Sequence, residues 1–451
     1  MRKGTLLALT GPLLLSACYN DNNYGNNYSG PSANFQVVHA SPDSPSLIVL
    51  IDGQPLFGDL HYGEGSGELQ IPVGSHTLSF QAETPTGPVT VIASTTINFA
   101  QDNDYVVVAE GPYASIGSNI FPHPLSTVDP SATRIQVLNA APSAPALAVF
   151  LTAPGADLTT STPLGSGSIG FMGATDPSDV TSGSYEIRIT AAGTTTPVLF
   201  DSGAINLIGG TDLIVTALQN VGPGAAPVIL GLTDAFGNNS TLFDLSTPAT
   251  LRVVNASPDS PPLSVVSNGN TASPLVAGLA FEGFSPYAAL IPGFFTFTLT
   301  PASNTSQVIA TEALALNAGT EQTLYALGPY ASLGTEATLD NRRRVATGAK
   351  LRLVQASPGA GFVDVYLTAP GSGIAGVAPA ILGIPFGGDT GFQQVMAGSY
   401  DLTITLAGTQ TVLSGPTMIS VSNTGIYTIA ARDAPGGGAP YGLILMDDFA
   451  P

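Results

Sequence analysis

One eight-residue motif written four times constrains this chain more than any other feature. It reads FQVVHASP at 35–42, IQVLNAAP at 135–142, LRVVNASP at 251–258 and LRLVQASP at 351–358. With His39, Asn139, Asn255 and Gln355 taken as equivalent, the spacings are 100, 116 and 100 residues. A period of domain size means serial domains and has to be settled before any other feature of the fold. A second level lies above the first. GPYAS occurs at 111–115 and 328–332, in the first and third repeats, and LTAPG at 151–155 and 367–371, in the second and fourth. His39 and Asn255 are 216 residues apart, as are Leu151 and Leu367. The order is A-B-A′-B′, a two-domain unit that was itself duplicated.

Inside each repeat the apolar period is two. Tyr185, Ile187 and Ile189 alternate with Glu186, Arg188 and Thr190. Tyr400, Leu402 and Ile404 alternate with Asp401, Thr403 and Thr405, and Phe295, Phe297 and Leu299 with Thr296, Thr298 and Thr300. Such alternation belongs to strands with one buried face. About seven such runs fall in each repeat, separated by turn residues in a chain with 52 Gly and 37 Pro, the spacing of a β-sandwich of immunoglobulin-like size. No stretch beyond residue 34 shows a 3.6-residue period. The expected fold is therefore all-β, a tandem array of four immunoglobulin-like or transthyretin-like β-sandwich domains at 35–130, 131–247, 248–346 and 347–451. The opening strand ends at a proline in every repeat, followed in the first and third by Asp43-Ser44-Pro45 and Asp259-Ser260-Pro261. Proline cannot donate to a ladder and aspartate favours turns, so this reads as a fixed strand exit.

The motif VVHASPDSP, its counterpart VVNASPDSP and the apolar run at 47–53 resemble the bacterial family called domain of unknown function 4397. The resemblance extends over the chain beyond residue 34 as four copies, with departures at Ser143-Ala144 and at Gly359-Ala360-Gly361. It implies an extracytoplasmic β-sandwich and carries over no activity.

The N-terminus has a basic start (Arg2, Lys3), a short Leu-rich stretch and a small-residue end, the layout of a secretory signal at 1–17. The stretch is shorter than a membrane span and contains Pro12. Leu15-Ser16-Ala17-Cys18 resembles the lipobox of bacterial lipoproteins, which implies cleavage before Cys18 and lipidation of that residue, the sole cysteine of the chain. Residues 18–34, rich in Asn, Tyr, Gly and Ser, read as a flexible tether. The expectation is a membrane partner through lipidated Cys18, in the cell envelope and, with Tyr19 after the cysteine in a Gram-negative organism, at the outer membrane.

Charge and composition exclude several classes. With 31 acidic against 11 basic residues and a net charge of −20, the chain lacks the clustered cations that nucleic-acid phosphates require. One cysteine allows neither an internal disulfide nor a thiolate zinc site. The four histidines are His39, His61, His76 and His123. A metal would draw on the first three, but His39 aligns with Asn139, Asn255 and Gln355, and His76 with Tyr185, Phe295 and Tyr400, so hydrogen bonding at a strand end and aromatic packing are the expected roles. Calcium prefers carboxylates, which directs attention to Asp43, Asp259, Asp102 and Asp104; the competing reading is solvated turn carboxylates. Two literal Gly-x-Gly-x-x-Gly strings, 165–170 and 371–376, open no helix and are loop glycines. There is no Gly-x-Ser-x-Gly elbow. Arg342-Arg343-Arg344 reads as a solvated linker. Tyr113 and Tyr330 in the GPYAS segments, with Asp43 and Asp259, are the candidate ligand contacts. No catalytic residue, metal or cofactor is expected. The expected role is a structural or adhesive envelope protein without enzymatic activity, or in the alternative an extracytoplasmic module binding a glycan or peptide.

Overall fold

The structure, a computed structural model, describes residues 30–449; Cys18 and the leader lie outside the described residues. The chain forms two compact units that meet in sequence between Thr247 and Pro248. The first unit holds the A and B sandwiches, the second A′ and B′.

The first repeat contains β1 (Ser32–Ala40), β2 (Leu47–Ile51), β3 (Gln54–Leu60), β4 (Leu69–Pro72), β5 (Gly74–Thr84), β6 (Gly87–Phe99), β7 (Asp104–Glu110) and β8 (Gly117–His123). They form two four-stranded sheets, ordered β4-β1-β7-β8 and β3-β2-β5-β6. Eight strands appear where alternation marks about seven, because a strand of four residues such as β4 is too short to display it. All pairs are antiparallel except one: β1 runs parallel to β7, with Val37 opposite Val107. The same parallel pair recurs three times, as Ala132–Asn139 with Thr211–Gln219, Ala249–Asn255 with Glu321–Leu327, and Ala349–Gln355 with Ile426–Arg432. The fold is thus four β-sandwiches, as the repeats predict.

Between the two sheets of the first repeat lie Phe35, Val37, Val49, Phe80 and Val107, all buried. Leu251, Val253, Val265, Phe297 and Leu324 fill the same layer in the third. The opening strand, however, is buried on its other face as well. Val38, Ala40, Val106 and Val108 of the first repeat form one cluster with Leu138, Ala140, Ile214 and Leu218 of the second. In the other unit Val254, Ala256, Tyr325 and Leu327 meet Val354, Ala356, Ala430 and Ile444. Two sandwiches therefore pack through the sheets that carry their opening motifs. This corrects the expectation of a single buried face for these strands, and it explains why Val37 and Val38 stand side by side: a strand buried on both faces takes apolar residues on both.

The polar second residue of each motif faces this junction and crosses it. Gln36 Nε2 donates to the Asp234 carbonyl at 3.2 Å, and Gln136 Oε1 meets His123 Nδ1 at 2.9 Å. In the second unit the same position carries arginine, and a closed circuit forms. Arg252 Nη1 donates to Asp448 Oδ1 (2.6 Å) and Arg352 Nη2 to Asp340 Oδ1 (2.5 Å). Each Nε donates to a threonine on the neighbouring parallel strand, Arg252 to Thr323 (3.1 Å) and Arg352 to Thr428 (3.2 Å). Thr323 then donates to Asp340 Oδ2 (2.6 Å) and Thr428 to Asp448 Oδ2 (2.7 Å). Both arginine side chains are at most 2% exposed and both carboxylates fully buried. Removing one partner strands a charge in the junction at a cost of about 3–5 kcal/mol, while replacing a whole buried pair by apolar groups is close to neutral. Asp448→Ala is accordingly expected to destabilise the 248–451 unit by about 3–5 kcal/mol in chemical denaturation, and Arg252→Met with Asp448→Leu to recover most of that loss.

Candidate functional site

The candidate contacts lie on the strand exits and the loops facing them. In all four repeats the amide two residues beyond the polar motif position folds back onto its side chain. Ser41 N donates to His39 Nδ1 (3.2 Å), Ala141 N to Asn139 Oδ1 (3.2 Å), Ser257 N to Asn255 Oδ1 (3.1 Å) and Ser357 N to Gln355 Oε1 (3.2 Å). His39 Nδ1 is thereby an acceptor, which leaves Nε2 to donate to the Pro45 carbonyl at 3.0 Å. This is the strand-end hydrogen bonding expected from the alignment of His with Asn and Gln.

The aspartate of the following turn and the tyrosine of GPYAS are brought together in both A-type repeats. Tyr113 N donates to Asp43 Oδ1 at 2.7 Å, and Tyr330 N to Asp259 Oδ1 at 2.7 Å. Each tyrosine opens a single 3-10 turn, Tyr113–Ser115 or Tyr330–Ser332. Gly111 (φ +90°) and Gly328 (φ +82°) supply the left-handed backbone that turns the chain into it. The rings are half-buried: Tyr113 packs with Ile116 on the first core and Tyr330 with Leu333 on the third. In the fourth repeat, where Gly359 replaces the turn aspartate, Asp433 supplies the carboxylate from the opposite loop, accepting from Ser357 Oγ and, at 2.9 Å, from Gly438 N. In three of the four repeats a carboxylate, contributed from one side or the other, ties two distant loops together.

The calcium candidates do not converge. Asp102 sits in a turn at φ +58°. Asp104 is buried at the A–B junction in a cluster with Glu68, His123, Asp212, Arg134 and Asp179. Among the described residues no three His, Cys, Asp or Glu side chains form a metal-holding group. His61 lies 3.6 Å from Asp59, while His76 meets Asp52 at 2.7 Å and the Pro72 carbonyl at 3.0 Å and packs on the Phe99 ring. The glycine strings 165–170 and 371–376 contain left-handed glycines such as Gly165 and Gly371 in loops. The triple arginine is not a solvated linker throughout. Arg342 donates to Glu321 Oε1 (2.8 Å) and the Asp448 carbonyl (2.8 Å), and Arg344 stacks on Phe449 at 3.6 Å. Sequence reasoning missed both this clasp and the junction circuit. The available signal was an arginine at the same apolar-flanked motif position in two repeats.

The A–B junction of the first unit gathers Glu68, Asp104, His123, Arg134, Asp179 and Asp212. Gln136 Nε2 donates to the carbonyls of Pro122 (3.3 Å) and Thr175 (3.2 Å), which fixes its amide and leaves Oε1 to accept from His123 Nδ1. His123 Nε2 donates to Asp212 Oδ1 at 2.7 Å. Both ring nitrogens face acceptors, so the buried ring is held as imidazolium; burial works against this, but the hydrogen bond and charge of Asp212 outweigh it and raise the pKa. Burial, reinforced by Glu68, pushes Asp104 up to about 7, and burial followed by Asp212 raises Glu68. Arg134 bridges Asp179 (3.0 Å) and Asp212 (3.2 Å). All three shifts have one sign. The folded unit binds more protons than the unfolded chain between the ordinary carboxylate range and neutrality, and the histidine contribution is present below about 6.5 and lost as pH rises through its raised pKa. The unfolding midpoint of the first unit is therefore expected to be higher at pH 5.5 than at pH 8, read by thermal denaturation, and Asp104→Asn to flatten that slope. At the exits, Asp43→Ala and Asp259→Ala are each expected to cost about 1–2 kcal/mol in the unit that carries them.

Comparison with known proteins bears on the fold. No curated protein matches the chain. The solved structures that align include two of low identity. One is described as the Bacillus anthracis TIE protein, 10% identical, covering 91% of this chain and 71% of that one at a TM-score of 0.17. The other concerns alpha-glucan recognition by family 41 carbohydrate-binding modules from streptococcal virulence factors, 13% identical, covering 41% of this chain and 93% of that one at a TM-score of 0.17. The family described as Domain of unknown function (DUF4397) matches residues 33–150 and 249–366. Each match takes in a whole A-type sandwich and runs into the second strand of the following B-type one, Leu147–Thr152 or Val363–Thr368. With more than half of its residues matched in two stretches that begin 216 residues apart, the duplication period of the opening motif, the chain belongs to the family of the domain of unknown function DUF4397.

Proposed function

We propose that this protein is a lipid-anchored component of the bacterial cell envelope, structural or adhesive and without enzymatic activity. The observation that carries the reading is the consumption of its chemically interesting side chains inside the fold. Asp43 and Asp259 hold the amides of Tyr113 and Tyr330, and the arginines and carboxylates of the second junction bond to one another. Serial sandwiches joined in pairs project surface away from an anchor without needing a cleft for chemistry. No helix among the described residues is long and apolar enough to cross a membrane, so under this reading attachment falls to Cys18.

Localisation is tested by fractionating bacteria that express the full chain. The protein is expected in the membrane pellet and the Cys18→Ser form in the soluble extracytoplasmic fraction; a soluble wild type, or a Cys18→Ser form that stays in the pellet, contradicts the anchor. The adhesive half is tested with the purified chain lacking the leader, which is expected to bind isolated envelope material without turning over any component of it.

A further inference from the structure

The four repeats supply four equivalent edge strands, and three of them are protected. In the first, β8 carries Pro122, which lacks an N–H to offer a neighbour. In the second, Val228–Asp234 is covered by an added antiparallel strand, Asn239–Leu242, which sets Leu242 opposite Leu230 and Ser240 opposite Leu232. In the third, Gly334–Asp340 bears Glu336, and Thr335 Oγ1 donates to Glu312 Oε2 (2.5 Å) on Ala310–Leu316, tying the two sheets together at that edge. The fourth, Gly442–Asp447, has no proline, no covering strand among the described residues, and its one charge, Asp447, at the very end of the strand. It reads GLILMD, ends its sheet, and leaves Leu445 49% exposed. Between it and the edge strand of the other sheet, Val412–Val421, lies a cleft of about 320 Å³ lined by Leu351, Met418, Val421, Tyr427, Ile429 and Leu445. Among the described residues no strand covers this edge as Asn239–Leu242 does in the second repeat. Asp448 N donates to the Ile426 carbonyl (2.9 Å) and its carboxylate is held by Arg252, which leads Phe449 to the arginine clasp.

We propose that Gly442–Asp447 is a self-association edge, paired antiparallel with the same strand of a second copy of this chain. The second repeat shows that an antiparallel strand can be added at this position with the partner sandwich in place. The strand is also its own complement. In an antiparallel pair about a two-fold axis, opposed residues lie on one face. With Ile444 on the axis, Leu443 stands opposite Leu445 twice and Gly442 opposite Met446; with Leu445 on the axis, Leu443 would face Asp447. The first register keeps Gly442–Met446 free of polar side chains and sets Asp447 opposite Tyr441, outside the strand. An interface of one short strand is smaller than a stable dimer usually buries, so the association is weak and concentration-dependent. The inference holds whether or not Cys18 carries lipid.

The test is sedimentation velocity on the intact chain lacking the leader and carrying Cys18→Ser, from low micromolar to high micromolar concentration. Monomer is expected to give way to dimer as concentration rises. Leu445→Lys is expected to remain monomeric at every concentration with an unchanged unfolding midpoint, and Leu382→Lys, at a 69% exposed leucine on another strand, to dimerise as before. A wild type that stays monomeric throughout overturns the proposal and leaves the edge to a different partner, as does a dimer that survives Leu445→Lys. The register is read independently of either lysine variant. In the Cys18→Ser background, Leu443→Cys and Leu445→Cys chains are expected to form a disulfide when mixed and neither alone; cross-linking of each alone, or of neither combination, overturns it.

Discussion

The structure depends on the burial of one strand on both faces. The opening motif of every repeat lies between its own sandwich core and the sandwich beside it, and its parallel partner strand shares that position. A domain of about a hundred residues buries a smaller fraction of its surface than a larger one does. Packing two such domains through their most apolar sheets doubles the use made of the same residues. Once the strand is buried on both sides, the polar second residue of the motif has to find partners in the junction, because an unpaired buried polar group costs about 1–3 kcal/mol. The glutamines of the first unit and the arginines of the second are two solutions to that requirement. The glutamine version leaves room for a titratable histidine and carboxylate cluster; the arginine version closes into a circuit of alternating arginine, threonine and aspartate.

The loops follow from the strands. An opening strand that leaves the junction must exit sharply, and the side chain at its end accepts the amide two residues on in all four repeats although the residue itself is His, Asn, Asn and Gln. A carboxylate then ties that exit to the loop after the penultimate strand. This holds in three repeats: in the A-type ones the carboxylate comes from the exit, as Asp43 and Asp259, and in the fourth from the other side, as Asp433 accepting from Ser357 Oγ and Gly359 N. The same interaction with its donor and acceptor sides exchanged argues for a mechanical requirement of the loop pair rather than for a ligand.

Much of this was legible in the sequence. The period of 216 residues marks the pairing of A with B, and alternation at Tyr185–Thr190 and its equivalents marks strands whose outer face meets solvent or a neighbouring loop. What alternation could not show was the second burial of the opening strands, since a strand without a solvent face presents a short continuous apolar run that has no period to read. The closeness of Asp43 to Tyr113 was likewise hidden. The two residues are 70 positions apart, and only the repetition of both phrases in the same repeats linked them. The junction circuit escaped because Asp340 and Asp448 belong to opposite sandwiches from the arginines they serve, and nothing local in either segment names its partner.

Native-state hydrogen exchange on the intact chain tests the central claim most directly. If each pair of sandwiches is one cooperative structure built on its doubly buried strands, the amides of Ala249–Asn255 and Ala349–Gln355 exchange with the same opening free energy, and both fall together when Asp340 or Asp448 is replaced. Opening free energies that differ between the two strands, with each responding only to substitutions in its own sandwich, would contradict the account.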